Sequence, residues 1–148
     1  MINKHFFRFQ AGNVLGIRGF ADTLCCSSLG EACEKFIQQY FYEVSLSEEF
    51  YNLSAKELLD IIRRDELCVD SEEQVFEAVM RWVKKDVELR KEHLPQILSK
   101  IRMPLLNPYY LTDKVAKEDL IRSSHECRYT LFILLSTFLK ALLINFIF

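Results

Sequence analysis

Glycine and proline are scarce in this chain, and their scarcity argues against an all-β fold. The 148 residues include four Gly and three Pro. β-Sandwiches and barrels need many tight turns, whereas helices joined by short links need few. A period-two alternation of apolar and polar residues is never sustained. The sequence therefore predicts an all-α fold of about eight short helices, packed as stacked antiparallel pairs, with an atypical apolar helix at the C-terminal end.

An excess of charge of either sign is also absent. Lys and Arg number 19 and Asp and Glu number 21, so the formal net charge is −2. This balance gives no basic footprint, and we expect no nucleic-acid partner. The N-terminal sequence "MINKHFFRFQAG" lacks the apolar run of a secretory signal.

Cysteine and histidine lack the spacing of a disulfide framework or a metal site. The five cysteines are odd in number and contain no C-x-x-C, and the three histidines are scattered. Secreted disulfide scaffolds and zinc sites both need paired spacing. The sequence predicts free, half-buried thiols in a reducing cytoplasm, with no metal and no cofactor.

What the chain does contain is a series of helical apolar stripes. Asn13 is a good N-cap residue, and the segment after it offers Leu15, Ile17 and Phe20 for burial. A longer stripe with the spacing of one α-helical face follows: Leu29, Ala32, Cys33, Phe36, Ile37, Tyr40 and Phe41.

Serine residues mark where several of these helices should begin. Ser27 or Ser28 can cap the long stripe, and capping boxes are predicted at Ser54–Glu57 and Ser71–Gln74. The residues predicted to form the core are Phe36, Phe41, Phe50, Leu58, Ile62, Phe76, Trp82, Leu98 and Leu105.

Catalytic motifs are absent as well. The sequence has no G-x-S-x-G, no Gly-rich phosphate loop and no H-E-x-x-H. "SSHEC", residues 123–127, places Ser, His, Glu and Cys together and raises the alternative of a hydrolase. Neighbours in sequence rarely face one another on a helix, however, and catalytic triads are assembled across a fold. We therefore predict no catalytic residues and a protein that is not an enzyme.

Several separated blocks resemble the BACK domain of BTB–Kelch (Kelch-like) proteins. They are "NVLGIRGFADTLCCSSL", "EEFYNLSAKELLDIIRRDELCVDSEEQVFEAVMRWVKKD", "HLPQILSKIRMPLLNPYYL", "EDLI" and "HECR", in the family's order. The resemblance covers roughly residues 13–128. It implies a helical linker domain in a substrate adaptor for cullin-3 ubiquitin ligases.

The resemblance also implies partners and a partner-facing surface. In the family, the first BACK helices belong to the 3-box that helps to hold cullin-3, and the residues implied here are Asn13, Leu15, Ile17 and Phe20. Cullin-3 and other Kelch-like family members are the expected partners. Residues 1–12 read as a non-family extension, and neither a BTB domain nor a Kelch repeat is evident. We therefore expect an incomplete adaptor that does not hold cullin-3 tightly by itself.

The segment 129–148 departs from the family pattern and has three interpretations. Of its 20 residues, 13 are Leu, Ile or Phe, and Lys140 is its only charge. Its hydropathy permits a membrane span without requiring one. It is alternatively the last packed helix of the domain, or a truncation product never selected as part of this fold. The membrane anchor, which would make the protein a C-terminally anchored helical scaffold, is not the favoured interpretation.

Overall fold

The computed structural model of the chain describes residues 8–147, and in the last helix the side chains up to residue 140 and at 144. Within this range every regular element is a helix, which confirms the all-α fold. Residues 1–7 of the predicted extension, and residue 148 of the tail, lie outside the described residues. The chain divides into two compact units, residues 1–70 and 71–148, which are described separately.

In its described residues, from 8 onward, the first unit contains four α-helices and one 3-10 turn. They are α1 (Val14–Thr23), α2 (Ser27–Gln39), α3 (Phe41–Ser45), the 3-10 turn Glu48–Asn52 and α4 (Ala55–Ile62). Phe41, Phe50, Leu58 and Ile62 are buried, whereas Phe36 is only half-buried, in contact with the rings of Phe9 and Tyr40. The core of this unit thus lies between α1, α2 and the segment that follows them.

The helix starts of this unit partly follow the predicted caps. Ser54 and Glu57 form the predicted capping box, with the Ser54 hydroxyl accepting from the Glu57 amide. The prediction for α2 is wrong, because Cys26 occupies the N-cap position and makes no side-chain capping bond. Asn13 stands at the N-cap of α1 but does not cap it with its side chain.

The second unit begins with a long helix and continues through short ones. It contains α5 (Glu72–Lys85), α6 (Val87–Arg90), the 3-10 turn Lys91–His93, α7 (Leu94–Leu98), the 3-10 turn Met103–Leu105, α8 (Pro108–Tyr110), the π-helical segment Leu111–Val115, α9 (Asp119–Ser123) and α10 (His125–Ile147). Phe76, Trp82 and Leu98 are buried here.

Two sequence predictions in this unit are corrected by the structure. Leu105 is 67% exposed rather than part of the core, because the turn that contains it directs Met103 and Leu106 inward instead. Ser71 is the N-cap residue of α5 but makes no side-chain capping bond, so the predicted capping box is absent.

The apolar tail belongs to helix α10, which contacts α7, α9 and the turn Met103–Leu105. Within residues 8–147, no helix combines the length and the apolar character needed to cross a membrane.

Candidate interaction site on the first helix

Helix α1 is preceded by a turn that Asn13 closes. The Asn13 side-chain oxygen accepts from the Gln10 amide at 2.9 Å, and its nitrogen donates to the Arg8 carbonyl at 3.1 Å. Because the amide group is used in this way, Asn13 orders the chain before the helix instead of capping the first turn.

The N-terminal turn of α1 is joined to the 3-10 turn Glu48–Asn52. The Gly16 amide donates to the Glu49 carboxylate at 3.0 Å. A Cβ built at residue 16 would lie 2.7 Å from the other carboxylate oxygen of Glu49, so only glycine allows the carboxylate to sit this close. The Glu49 carboxylate therefore lies beside the first turn of α1, where negative charge is favourable.

Arg18 anchors the inner face of α1 to α2 and α4. Arg18 is 8% exposed. Its guanidinium lies 3.5 Å from the Glu34 carboxylate and 3.6 Å from the Glu57 carboxylate. The Glu34 carboxylate also lies 3.1 Å from the Arg64 guanidinium. A nearly buried cation is tolerated only with such partners, so this cluster fixes the rotation of α1 about its axis.

Glu57 links this ion-pair cluster to the start of α4. The Ser54 amide donates to its carboxylate at 2.8 Å and the Ser54 hydroxyl at 2.7 Å. These hydrogen bonds, with a smaller contribution from Arg18, lower the pKa of Glu57 below its ordinary value. The carboxylate therefore keeps its charge to a lower pH than an ordinary glutamate does, which favours its ion pair with Arg18.

The opposite face of α1 presents apolar side chains to solvent. Phe20 is 48% exposed and Leu24, four residues further, is 47% exposed, while Ile17 is half-buried beside them. Residues 17, 20 and 24 recur at helical spacing and therefore lie on one face. We call these three residues the α1 stripe.

The structure separates the four residues implied as partner-facing. Phe20 is exposed and Ile17 is half-exposed, so both are available for contact. Leu15 is 7% exposed and packs inward, and Asn13 is half-buried in its turn, so these two support the helix instead of presenting a surface. The resemblance pointed to the helix but not to which of its faces is free.

Two residues of this site were missed at the level of the sequence. Leu24 has the i, i+4 spacing from Phe20 that could have revealed it. Arg18 carries no local signal, because its partners Glu34 and Glu57 are brought to it by the fold. Beside Arg18 a surface cleft of about 370 Å³ opens between α1 and α2, bordered by Asp22, Cys25 and Glu31 among others.

The "SSHEC" segment is used to begin a helix. The Ser124 hydroxyl accepts from the Cys127 amide at 3.2 Å, in the first turn of α10. Cys127 is fully buried, and burial raises the pKa of its thiol, which disfavours the nucleophilic thiolate. His125 is exposed at the helix start. In the part of the chain that the structure describes, no group of three or more His, Cys, Asp or Glu residues could hold a metal ion.

A comparison with protein families matches most of the chain to one family model. The family model described as "BACK: BTB And C-terminal Kelch" matches residues 14–116. The match begins at the first residue of α1 and includes the whole α1 stripe, the Arg18 cluster and α5.

Proposed function

Since the chain belongs to the BACK (BTB And C-terminal Kelch) family, we propose that it is a non-catalytic protein-interaction module of the BTB–Kelch type. The α1 stripe is then a surface that binds the N-terminal region of cullin-3. We place this activity in the cytoplasm, where the five free cysteines would remain reduced. The exposed apolar stripe on a helix of fixed rotation is the observation that supports the proposal.

The chemistry of the stripe suits a helical protein partner. An aromatic and a branched aliphatic side chain, one turn apart, can enter a groove between two helices of the partner. Because the Arg18 ion pairs and the Gly16–Glu49 hydrogen bond already hold α1 in place, little backbone order has to be gained on binding. Little of the binding free energy is therefore lost to ordering the helix, so most of it contributes to affinity.

The stripe alone should nevertheless bind weakly. Three side chains, one of them half-buried, cover much less than the roughly 800 Å² per partner of a stable interface. We expect the 148-residue chain by itself to bind cullin-3 with a dissociation constant in the micromolar range or weaker. A pull-down in which this chain alone holds cullin-3 tightly would contradict that expectation.

The proposal is tested by titrating the chain against the N-terminal domain of cullin-3. Phe20→Ala and Leu24→Ala are each expected to weaken binding about 5- to 30-fold, as truncation of an apolar anchor usually does. Biolayer interferometry or NMR titration measures the dissociation constants, and circular dichroism checks that each variant keeps its helicity.

Leu89→Ala serves as the matched control. Leu89 is also an exposed leucine, 73% accessible, but it lies on α6 in the other unit. Its truncation should leave binding unchanged. Equal binding by the unmodified chain, Phe20→Ala and Leu24→Ala would remove the α1 stripe from the interface.

A further inference from the structure

Helix α10 has two apolar faces, of which the protein covers one. The inner face begins with fully buried Cys127 and continues with Leu131, Leu134 and Phe138, all half-buried. It is the face turned toward the helices that α10 contacts, namely α7, α9 and the turn Met103–Leu105. This face accounts for the packing of α10 within its own unit.

The outer face is as apolar as the inner one and lies in solvent. Tyr129 is 61% exposed, Phe132 66% and Leu139 58%. With the small residue Ser136 between them, these positions are separated by three, four and three residues, the spacing of the seam of a coiled coil. We call Tyr129, Phe132, Ser136 and Leu139 the outer seam.

The area of this face approaches what one side of a standard protein interface buries. Ile133 and Ile144, which are 45% and 58% exposed, add to the apolar surface of the outer seam. Its extent is roughly 600 Å², since large apolar side chains each contribute on the order of 100 Å² at these exposures. Monomers rarely expose a contiguous apolar patch larger than a few hundred Å². A standard interface buries roughly 800 Å² on each partner.

The charges around the outer seam favour a second copy as the occupant. None of the four seam residues carries a formal charge, so two identical seams meet without repulsion between them. Arg128 and Lys140 are the only charged residues of α10 beyond its first turn, so a partner selected by complementary charge finds little to recognise. A seam with heptad spacing is also complementary to itself, as a two-fold interface requires.

We propose that two copies of this chain associate through the outer seams of α10 to form a two-fold helical pair. The association goes beyond the proposed cullin-3 surface, which lies on α1 in the other unit. Tyr129, Phe132 and Leu139 are buried against their counterparts, and Ser136 lets the two helices approach closely at the centre of the seam.

The test measures the mass of the full chain in solution. At tens of micromolar, multi-angle light scattering or sedimentation should give twice the chain mass of 17.5 kDa. The double variant Phe132→Glu/Leu139→Glu places carboxylates on the seam and should raise the dimer dissociation constant at least 100-fold, giving a monomer. Leu89→Glu/Tyr109→Glu is the matched control, because it adds the same two charges at an exposed leucine and an exposed aromatic residue outside α10, and it should remain a dimer.

Each other outcome contradicts the proposal. An unmodified chain that is monomeric at these concentrations would overturn it, as would a dimer that survives the double Glu variant. Should that variant lose helicity by circular dichroism, Phe132→Ser/Leu139→Ser provides the same comparison without added charge. Neutral phosphatidylcholine vesicles form a further arm of the test. If they bind the chain and the chain shows no dimer, lipid covers the face and the proposal is wrong.

Discussion

Cys25 has a backbone conformation that glycine usually provides. Its φ is 51°, the one positive φ at a non-glycine residue among those described. The amides of Cys25 and Cys26 donate to the carbonyls of Asp22 and Ala21, at 3.1 and 2.9 Å. This is the Schellman arrangement that ends a helix, in which the left-handed residue is commonly glycine. The cysteine Cβ is therefore held in a crowded position at the end of α1.

Replacing Cys25 with glycine should stabilise the protein. Removing the Cβ relieves about 1–2 kcal/mol of left-handed strain, and the greater freedom of glycine in the unfolded chain returns part of it. We expect a net gain of about 0.5–1 kcal/mol in the free energy of unfolding, measured by urea denaturation.

Two neighbouring substitutions separate the backbone effect from loss of a thiol. Cys25→Ala removes the thiol but keeps the Cβ, so it should give no comparable gain. Cys26→Gly changes a residue whose φ is −91°, where glycine relieves no left-handed strain, so it should give no comparable gain. A gain from Cys25→Ala equal to that from Cys25→Gly would contradict the explanation.

At the scale of elements, the acidic start of α5 organises the link that follows α7. Glu72 is 5% exposed, and its carboxylate accepts a hydrogen bond from the Arg102 backbone amide at 2.9 Å. Glu73 accepts from the Asn107 amide at 2.9 Å, and the Tyr110 hydroxyl donates to Glu77 at 3.1 Å. One edge of α5 thus satisfies backbone groups of a segment that has little regular structure of its own.

Glu73→Gln should weaken the protein at neutral pH and flatten its acid dependence. Hydrogen bonds from the Asn107 amide and the Ser71 hydroxyl lower the pKa of Glu73 from its ordinary value of 4.5. A lowered folded-state pKa stabilises the protein above pH 4.5, and that stabilisation is lost as the pH falls through the folded-state pKa. The variant should lose about 1 kcal/mol at pH 7, the typical net value of such a hydrogen bond.

Thermal melts of both proteins between pH 7 and pH 3 measure the difference, which should shrink toward the acidic end. Glu88→Gln is the control, because the Glu88 side chain is 83% exposed and pairs with Lys91 one turn away. It should change stability by no more than a few tenths of a kcal/mol at any pH. A Glu73→Gln deficit that grows as the pH falls would contradict the assignment.

These elements also show how far the sequence predicts the structure. The helices and the Ser54–Glu57 box were predictable, because their signals lie within four residues. The role of Glu72 was not, since it depends on a partner 30 residues away. Leu105 was assigned to the core because a 3-10 turn in "MPLL" gives no periodicity to tell which leucine points inward.

At the scale of the whole molecule, low net charge coincides with exposed apolar surface. The sequence pI is about 5.9, so the molecule carries little charge near that pH. Electrostatic repulsion between molecules is then weak and does little to prevent contact between the exposed apolar side chains of α10 and of the α1 stripe. Association through these exposed surfaces is therefore expected to be strongest in that range.

Solubility should therefore pass through a minimum close to pH 5.9 and rise on either side. Light scattering of the chain across pH 4.5 to 8 measures it. Phe132→Glu/Leu139→Glu should be several-fold more soluble at the minimum, because it removes apolar surface and adds negative charge. A pH-independent solubility would show that net charge does not govern association, and an unchanged minimum in the variant would show the same of the seam.

The contact between Gly16 and Glu49 has a consequence for how this sequence can change over evolutionary time. With Glu49 present, alanine at residue 16 displaces the carboxylate and loses its hydrogen bond, which offsets the gain of about 1 kcal/mol in helix propensity. If Glu49 is first replaced by a residue with a shorter side chain, alanine at residue 16 no longer costs this hydrogen bond and becomes favourable. The two positions are epistatic, so the order of substitution decides which mutational route is open.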